Sequence, residues 1–395
     1  MMKRALDDFK AGKFVIVTDD ESRENEGDLF ILGQHLTAEQ MGFMVRYTSG
    51  VICAAITESI ADRLQLPFMV KRNQDSKQTA FTISVDAKAG LTTGISAAER
   101  ANTLRILADD KTLPTDLVRP GHIFPLIANN GGLSARRGHT EAAVVMAAAV
   151  GAKPVVALSE LVNDDGSMMR GQTLIDFAKT HQIELITIEE LAKEFSNISF
   201  ETSKEIRWAK LPREINDWQI GIYRNNFGIE HAILKFGKPK DKPLVRIHSE
   251  CLTGDALGSA RCDCGAQLDK AFTEIETHGH GYILYLRDHE GRGIGLSAKI
   301  EAYILQDAGF DTVDANLKLG HQIDERDYQD AAAILTLLGI KELQLLTNNP
   351  EKVSNLKLKG FQVDRVAIHG PINPTNQFYL KTKQEKLKHE LGIRS

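Results

Sequence analysis

Short runs of β-branched and aromatic residues alternate along this chain with segments of helical periodicity. In the first half, residues 13–18 (KFVIVT), 81–85 (FTISV) and 153–161 have the composition of strands. The same composition recurs in the second half at residues 244–248 and 282–286. Because strands that alternate with helices build sheets covered by helices, the pattern predicts an α/β fold with mixed sheets.

Local signals also predict where several helices begin and end. Two Ser/Thr–Glu pairs have the spacing of a capping box, Ser96 with Glu99 and Thr187 with Glu190. Three further helices follow from periodicity and from their boundaries: an alanine-rich helix at 139–150, one at 294–308, and one from Asn349-Pro350 to Gly360. The lysine-rich tail, residues 382–395, is interpreted as a solvated helix end.

Clear periodicity is lost over residues 196–211, which mix polar and apolar side chains. A chain of 395 residues predicts two or three domains at roughly 150 residues each. We therefore place a boundary in this segment and predict two separate domains, residues 1–199 and 200–395.

Composition and charge exclude several classes of protein. Hydrophobic residues make up 42% of the chain and charged residues 26%, as in ordinary globular proteins. A net charge of −5 gives no electrostatic footprint for nucleic acid, so no nucleic-acid partner is expected. The N-terminus lacks the apolar core of a signal peptide, and the longest apolar run is far shorter than the ~20 residues that span a membrane. We expect a cytoplasmic protein with no membrane contact.

Three of the four cysteines lie in one short segment, HSECLTGDALGSARCDCGAQL. Cys251, Cys262 and Cys264 could supply three thiolates, one fewer than a closed structural zinc site needs. Catalytic zinc keeps three protein ligands and leaves one position open, so the spacing favours an open zinc site. A disulfide pair or ordinary buried thiols are the alternatives, although few cysteines in a long chain speak against a disulfide.

Two polar clusters stand out in the first half. Residues 19–28 (DDESRENEGD) place Arg23 beside Glu24 in a loop after a predicted strand. The second cluster extends from residue 119 to residue 140, and Gly138-His139-Thr140 opens the alanine-rich helix. A helix N-terminus flanked by arginines favours a phosphate.

These residues resemble the family of 3,4-dihydroxy-2-butanone 4-phosphate synthases over about residues 1–195, through DDESRENEGD, FTISVD, TTGISAAER, RPGHIFPL, RGHTEA and NDDG. The resemblance implies conversion of D-ribulose 5-phosphate to 3,4-dihydroxy-2-butanone 4-phosphate and formate. It implies that Glu24 and His139 bind Mg²⁺, with Mn²⁺ as an alternative, and that His122 and Glu160 are catalytic. It assigns the sugar phosphate to Arg23, Glu24, Asp28, Arg136, Arg137, Gly138, His139, Thr140 and Glu160.

From about residue 211 onward the chain resembles GTP cyclohydrolase II, through RIHSECLTGD, GSARCDCGAQL, EGRGIGL, DTVDANLKLG, DERDY and LLTNNPEK. The resemblance implies opening of the GTP imidazole ring, with release of formate and pyrophosphate, to give 2,5-diamino-6-(5-phosphoribosylamino)pyrimidin-4(3H)-one. It implies Zn²⁺ on Cys251, Cys262 and Cys264, and Mg²⁺ with the triphosphate. It assigns GTP binding to Arg246, Ile247, His248, Ser249, Glu250, Gln267, Glu290, Gly291, Arg292, Thr312, Thr347 and Lys352.

The same resemblance makes Asp324 the proton acceptor and Arg326 a nucleophile at the α-phosphorus. A protonated arginine is a poor nucleophile, so charge stabilisation by Arg326 is the preferred role. Asp288-His289 stands before EGR where many relatives have a single glutamine, which makes the conformation of this loop an open question.

Together the two resemblances predict a bifunctional enzyme that makes two riboflavin precursors from small-molecule substrates, and they suggest a homodimer. Two alternatives remain: only one half is active, or the chain is a zinc-containing regulator that senses GTP. Three thiolates without a fourth ligand, together with Asp324 and Arg326, favour catalysis.

Overall fold

The computed structural model describes residues 2–19, 25–71, 73–200, 205–213, 216–238, 242–368 and 370–385. It divides into two compact units, Met1–Ser203 with Asn226–Gly228, and Lys204–Asn225 with Ile229–Ser395. We call them the N-terminal unit and the C-terminal unit, and each is built on a seven-stranded sheet. The boundary at residue 199 or 200 stays a prediction, since residues 201–204 lie outside the described residues.

The N-terminal unit contains seven strands and eight helices in its described residues. The strands are β1 (Val15–Thr18), β2 (Gly27–Leu32), β3 (Cys53–Ile56), β4 (Val85–Ala87), β5 (Leu117–Ile127), β6 (Val155–Glu160) and β7 (Glu184–Thr187). The helices are α1 (Met2–Lys10), α2 (Ala38–Tyr47), α3 (Glu58–Leu64), α4 (Ala97–Ala108), α5 (Gly132–Ala135), α6 (His139–Ala149), α7 (Gly171–His181) and α8 (Ile188–Phe195). Gly33–His35 and Pro114–Asp116 form short 3₁₀ turns.

The first sheet has the strand order β4-β5-β3-β6-β2-β1-β7. β3–β5 and β1–β7 are parallel pairs, whereas β1–β2, β2–β6, β3–β6 and β4–β5 are antiparallel. Side chains of β2 alternate between two cores, Leu29 and Ile31 on one face and Phe30 and Leu32 on the other. Helix α6 is buried over most of its length because it covers the second face.

The C-terminal unit also contains seven strands, with seven helices, in its described residues. The strands are β8 (Trp208–Pro212), β9 (Asp217–Arg224), β10 (Glu230–Phe236), β11 (Leu244–Ser249), β12 (Gly281–Leu286), β13 (Glu342–Leu346) and β14 (Gln362–Val366). The helices are α9 (Leu252–Asp255), α10 (Cys264–His278), α11 (Gly295–Asp307), α12 (Thr312–Lys318), α13 (Gln329–Leu337), α14 (Pro350–Leu358) and α15 (Gln377–Glu385). Glu290–Arg292 forms a 3₁₀ turn.

The second sheet has the order β14-β13-β11-β12-β10-β9-β8. The first four strands pair in parallel and the last four in antiparallel fashion, with β12 common to both parts. Ser249 at the end of β11 lies opposite Leu286 at the end of β12. The loops that follow these two strands therefore begin side by side, and they carry Cys251 and the Glu290 turn.

The mixed α/β fold predicted from the sequence is confirmed, and most predicted elements are present. Thr187 and Glu190 form a reciprocal capping box, with Thr187 Oγ1 3.1 Å from the Glu190 amide. Asn349 caps α14 by accepting from the Glu351 amide at 2.9 Å. None of the described helices is long and apolar enough to cross a membrane.

Three sequence predictions are wrong in part. Residues 81–85 are not a continuous strand: Phe81 and Thr82 form isolated bridges, and β4 begins only at Val85. Strand β8 begins within residues 196–211, the boundary segment in which no strand was predicted. The tail is not wholly solvated, because Lys383 is 8% exposed and pairs with Asp263 at 2.8 Å. Tertiary contacts override local composition in each case.

Candidate functional site

The central strands of the N-terminal unit bring two acidic candidates together. Asp28 on β2 lies opposite Glu160 on β6 in the antiparallel register. His139 begins helix α6, and its Nδ1 is 3.8 Å from Asp28 Oδ1. Asp28 and His139 are both buried. Three predicted site residues, which are 132 positions apart at the extremes, therefore share one end of the sheet.

Glu160 is held by a neighbour that the sequence did not identify. Ser49 Oγ donates to Glu160 Oε2 at 2.8 Å, and the Ser49 amide donates to the Glu160 carbonyl at 2.8 Å. Burial raises the pKa of the nearby Cys53 thiol, and the charges of Glu160 and Asp28 raise it further. Cys53 therefore stays neutral next to two carboxylates.

His122 on β5 forms a pair with Asp86 on β4. The Asp86 carboxylate lies 2.7 Å from His122 Nδ1 and accepts the His122 amide at 2.9 Å. The Asp86 side chain is 4% exposed and the His122 side chain 38% exposed, so a buried carboxylate holds a partly exposed imidazole. A Cβ at Gly94 (φ +84°) would lie 2.1 Å from Asp86 Oδ2, so this position requires glycine.

At the start of helix α6, Arg136 is held in place by an ion pair with Glu141. Arg136 Nη1 donates to Glu141 Oε2 at 2.6 Å, and the Asn129 amide donates to Glu141 Oε1 at 2.9 Å. A Cβ at Gly138 would lie 2.3 Å from Arg136 Nη1, so glycine lets the guanidinium pack over the first helical turn. This placement suits an anion at the helix N-terminus.

The remaining candidates in this half differ in position. Thr140 is buried on α6, whereas Arg137 is exposed beside it. Arg23 and Glu24, the predicted substrate and metal residues of the acidic loop, lie outside the described residues.

In the C-terminal unit the three cysteines converge. Their Sγ atoms all lie within 4.8 Å of one another, and Cys251 Sγ is 3.7 Å from Cys262 Sγ. Cys251 follows β11, Cys264 begins α10, and Gly254 on α9 lies against all three residues. A Cβ at Gly254 would come within 2.7 Å of Cys262 Sγ, so glycine leaves the space that the sulfurs need.

Hydrogen bonds among the three cysteines shift their pKa values in opposite directions. Hydrogen bonds from Cys262 and Cys264 lower the pKa of Cys251. The hydrogen bond with Cys251 raises the pKa of Cys262 to about 11, and those with Cys251 and Cys262 raise the pKa of Cys264 well above its usual value. One thiolate stabilised by two thiols is the expected state of such a cluster without a cation. A divalent cation bound by all three would take the place of those protons.

The cysteine cluster opens onto a cavity that contains most of the predicted GTP residues. Its walls include the predicted residues Arg246, His248, Ser249, Glu250, Gln267, Glu290, Gly291, Arg292, Thr312, Thr347 and Lys352. Ile247 is different, because its side chain lies in the hydrophobic core, while its carbonyl accepts a hydrogen bond from Lys352 Nζ at 2.8 Å.

The cavity is strongly cationic. Seven lysines and arginines line it against two carboxylates, Glu250 and Glu290; the cations are Arg246, Arg261, Arg292, Lys299, Arg326, Lys352 and Lys383. Burial and the charges of Arg246 and Arg326 lower the pKa of Lys352 well below its usual value. Burial, together with the charges of Arg326 and Lys352, lowers the pKa of His289 to about 3. A polyanion in the cavity would relieve this repulsion.

Asp324 forms hydrogen bonds with two arginines of the cavity, Arg292 and Arg326. Arg326 Nε donates to Asp324 Oδ1 at 2.8 Å, Arg326 Nη2 donates to Oδ2, and Arg292 Nη1 donates to Oδ2 at 3.3 Å. Burial opposes ionisation of Asp324, but the hydrogen bonds and charge of Arg326 overcome it and lower the pKa. Asp324 is therefore a carboxylate, and Arg326 is a protonated cation.

The Asp288-His289 pair has a defined place in the wall of the cavity. Asp288 adopts φ +65° and donates its amide to Glu250 Oε2 at 3.0 Å. His289 is buried, with Nδ1 3.2 Å from Ser249 Oγ. These contacts order the loop before Glu290.

Sequence reasoning missed several residues of both sites. Asp86 and Ser49 were not predicted because their partners are distant in sequence, and Lys299 and Lys383 resemble ordinary helix-surface lysines. Only Asp86 gave a signal, since it ends the FTISVD motif, but nothing in that motif connected it with His122.

Comparison with known proteins divides the chain in the same way. Residues 3–194 match the family model of 3,4-dihydroxy-2-butanone 4-phosphate synthase, and residues 204–367 match that of GTP cyclohydrolase II. A crystal structure of 3,4-dihydroxy-2-butanone 4-phosphate synthase in complex with two magnesium ions is 43% identical, with a TM-score of 0.48, and covers 50% of this chain and 99% of its own.

Full-length relatives join both parts. The riboflavin biosynthesis protein RibBA of Salinispora tropica is 47% identical and covers 99% of this chain and 98% of its own length. The RibBA proteins of Chlamydia trachomatis and Bacillus cereus are 46% and 47% identical over 99% of this chain. The chain therefore belongs to the RibBA family of riboflavin biosynthesis proteins, bifunctional enzymes in which a 3,4-dihydroxy-2-butanone 4-phosphate synthase, a lyase, is fused to a GTP cyclohydrolase II, a hydrolase.

Proposed function

We propose that the two clusters of residues described above are the two active sites of this bifunctional enzyme. In the N-terminal unit, D-ribulose 5-phosphate would bind with its phosphate at the start of α6, near Arg136 and Thr140. Its carbon chain would extend toward Asp28 and Glu160. A base beside a carbon acid is the first requirement for forming an enediol from a ketose.

His122 suits the role of that base. Its Nδ1 faces the Asp86 carboxylate, which favours a proton on Nδ1 and leaves Nε2 to accept one. Glu160, held by Ser49, would then move a proton between carbon and oxygen atoms of the enediol.

The metal assigned to this half would be held by Glu24 and His139, with Mg²⁺ or Mn²⁺ as the ion. The donor set fits in part, because carboxylates suit Mg²⁺ whereas an imidazole ligand is more typical of Mn²⁺. When bound, the ion would polarise the ketose carbonyl. His139 lies buried beside Asp28, so its ring position is set by the fold rather than by the ion.

In the C-terminal unit, Cys251, Cys262 and Cys264 fit zinc, since three sulfurs within 4.8 Å form an open trigonal donor set. Zinc held there would act as a Lewis acid for the attack of water on the purine. Gln267 and Arg246, joined by a 2.7 Å hydrogen bond, would contact the base or ribose.

The cationic cavity next to the three sulfurs is the observation that carries the GTP assignment. Lys352 is buried beside Arg246 and Arg326, whose charges lower its pKa although Asp324 acts in the opposite direction, and a triphosphate with Mg²⁺ would add negative charge next to these cations. Because Arg326 is bound at two positions to Asp324, we propose that it stabilises charge at the α-phosphorus rather than attacking it.

Two variants test the role of Arg326. Lys keeps a positive charge without the planar fork, whereas Gln removes the charge. If Arg326 stabilises charge, Arg326→Lys should retain partial pyrophosphate release from GTP, and Arg326→Gln should lose about 100-fold in kcat, within the range for electrostatic groups. Equal loss in both variants, with ring opening intact, would instead support a covalent role.

We also propose a homodimer in the cytoplasm, where thiols stay reduced and available for zinc. The exposed apolar side chains Leu296, Ile300 and Ile304, four residues apart on α11, support an association surface in the C-terminal unit.

A further inference from the structure

Lys299 is a buried cation beside the cysteine cluster. It projects from α11 with its side chain 9% exposed, and its ammonium group meets three acceptors. Lys299 Nζ donates to Thr253 Oγ1 at 2.8 Å and to Cys251 Sγ at 3.2 Å, and it also donates to Glu290 Oε1. An ammonium group has three N–H donors, and each has an acceptor here.

These contacts join the cysteine loop to the Glu290 turn. Glu290 Oε2 accepts the Leu252 amide at 2.6 Å, directly after Cys251. Lys299 therefore closes a ring of contacts through Glu290, the Leu252 amide and the Cys251 sulfur. Any shift of the Glu290 turn would be transmitted to that sulfur.

Fold stability alone does not account for this arrangement. A buried lysine–carboxylate pair is often no more stabilising than apolar side chains of the same volume. The third donor is directed at a sulfur atom, which is a weak acceptor unless it carries negative charge. The position of Lys299 is thus matched to a thiolate.

We propose that Lys299 is a positioning residue that tunes the Cys251 sulfur as a metal ligand. Three thiolates on a divalent ion leave one uncompensated negative charge and weaken the ion as a Lewis acid. An N–H···S bond withdraws electron density from one sulfur and offsets that charge, and contacts of this kind set ligand strength in other metal sites. The inference rests on the zinc assignment proposed above.

Cobalt-substituted full-length protein reports on the sulfur directly, because thiolate-to-cobalt charge-transfer absorption depends on the electron density of the ligand. Lys299→Met removes the donor and the charge, and Lys299→Arg retains both. Lys270→Met, on the exposed face of α10, is the matched control. We expect the charge-transfer band to move to lower energy in Lys299→Met and to stay near the wild-type position in the other two.

Zinc retention gives a second measurement that does not depend on turnover. Release of zinc to a chelator should be about 10-fold faster in Lys299→Met, the lower end of the range for such outer contacts. Lys299→Gln, which keeps a donor without charge, should give a smaller shift of the same sign and replaces the methionine variant if that variant fails to fold.

The outcomes separate the inference from the zinc assignment. A wild-type protein that binds cobalt without a charge-transfer band would overturn the cysteine metal site itself. A normal wild-type band that is unchanged in Lys299→Met and Lys299→Gln, with unchanged zinc release, would overturn only the role of Lys299.

Discussion

At the scale of single residues, the Asp86–His122 pair is the most closely defined contact of the N-terminal site. Asp86 contacts both the backbone amide and the ring of His122, so it fixes the orientation and the tautomer of the imidazole together. Gly94 admits no side chain at this point. The pair is therefore built into the fold before any substrate binds.

Asp86→Asn tests this account. The amide keeps the shape of the carboxylate but no longer favours the proton on Nδ1, so Nε2 loses its role as acceptor. We expect kcat for formate release from ribulose 5-phosphate to fall about 100-fold, with a small change in KM, as is usual for loss of an acid–base group. GTP turnover in the same protein is the internal control. A decrease below threefold would show that Asp86 has only a structural role.

Residue types and spacing were enough to find the cysteines, but not their partners. The three cysteines, Cys251, Cys262 and Cys264, lie close in sequence. The short helix α9 between the first two lets the chain turn back so that the sulfurs meet. Lys299 is 48 positions from Cys251, and Asp86 is 36 positions from His122. Such contacts depend on strand order and helix packing, which periodicity does not determine.

At the scale of elements, strand ends and helix starts place both sites. The parallel pair β11–β12 sets the cysteine loop beside the Glu290 turn, and the antiparallel pair β2–β6 sets Asp28 opposite Glu160. Capping residues made helix starts predictable at Thr187 and Asn349. Composition predicted a strand over residues 81–85, but Phe81 and Thr82 form only isolated bridges and β4 begins at Val85.

Helix α11 lines the cavity and also carries an apolar stripe exposed to solvent. Lys299 faces the cavity, whereas Leu296, Ile300 and Ile304 form an exposed apolar stripe. If this stripe is the homodimer contact, Ile304→Glu places a charge in it and should shift the protein toward monomer in light scattering at micromolar concentration. Leu358→Glu, at an exposed leucine on α14, is the control and should leave the mass unchanged. A dimer that survives Ile304→Glu would place the contact elsewhere.

At the scale of the whole molecule, the two units have separate sheets and separate cores. The described cysteine cluster lies entirely in the C-terminal unit, and the His122 pair lies in the N-terminal unit. Both tryptophans, Trp208 and Trp218, belong to the C-terminal unit, so tryptophan fluorescence reports the integrity of that unit alone. Chemistry in the N-terminal unit can therefore be removed while the fold of the C-terminal unit is monitored.

The most direct test of two independent active sites is formate release from each substrate supplied separately. Cys262→Ser replaces a thiolate with a poor zinc ligand. It should abolish formate release from GTP and leave release from ribulose 5-phosphate at the wild-type rate. His122→Gln should give the reverse pattern. Loss of both activities in Cys262→Ser, with wild-type tryptophan fluorescence, or no formate from either substrate with the wild-type protein, would contradict the account.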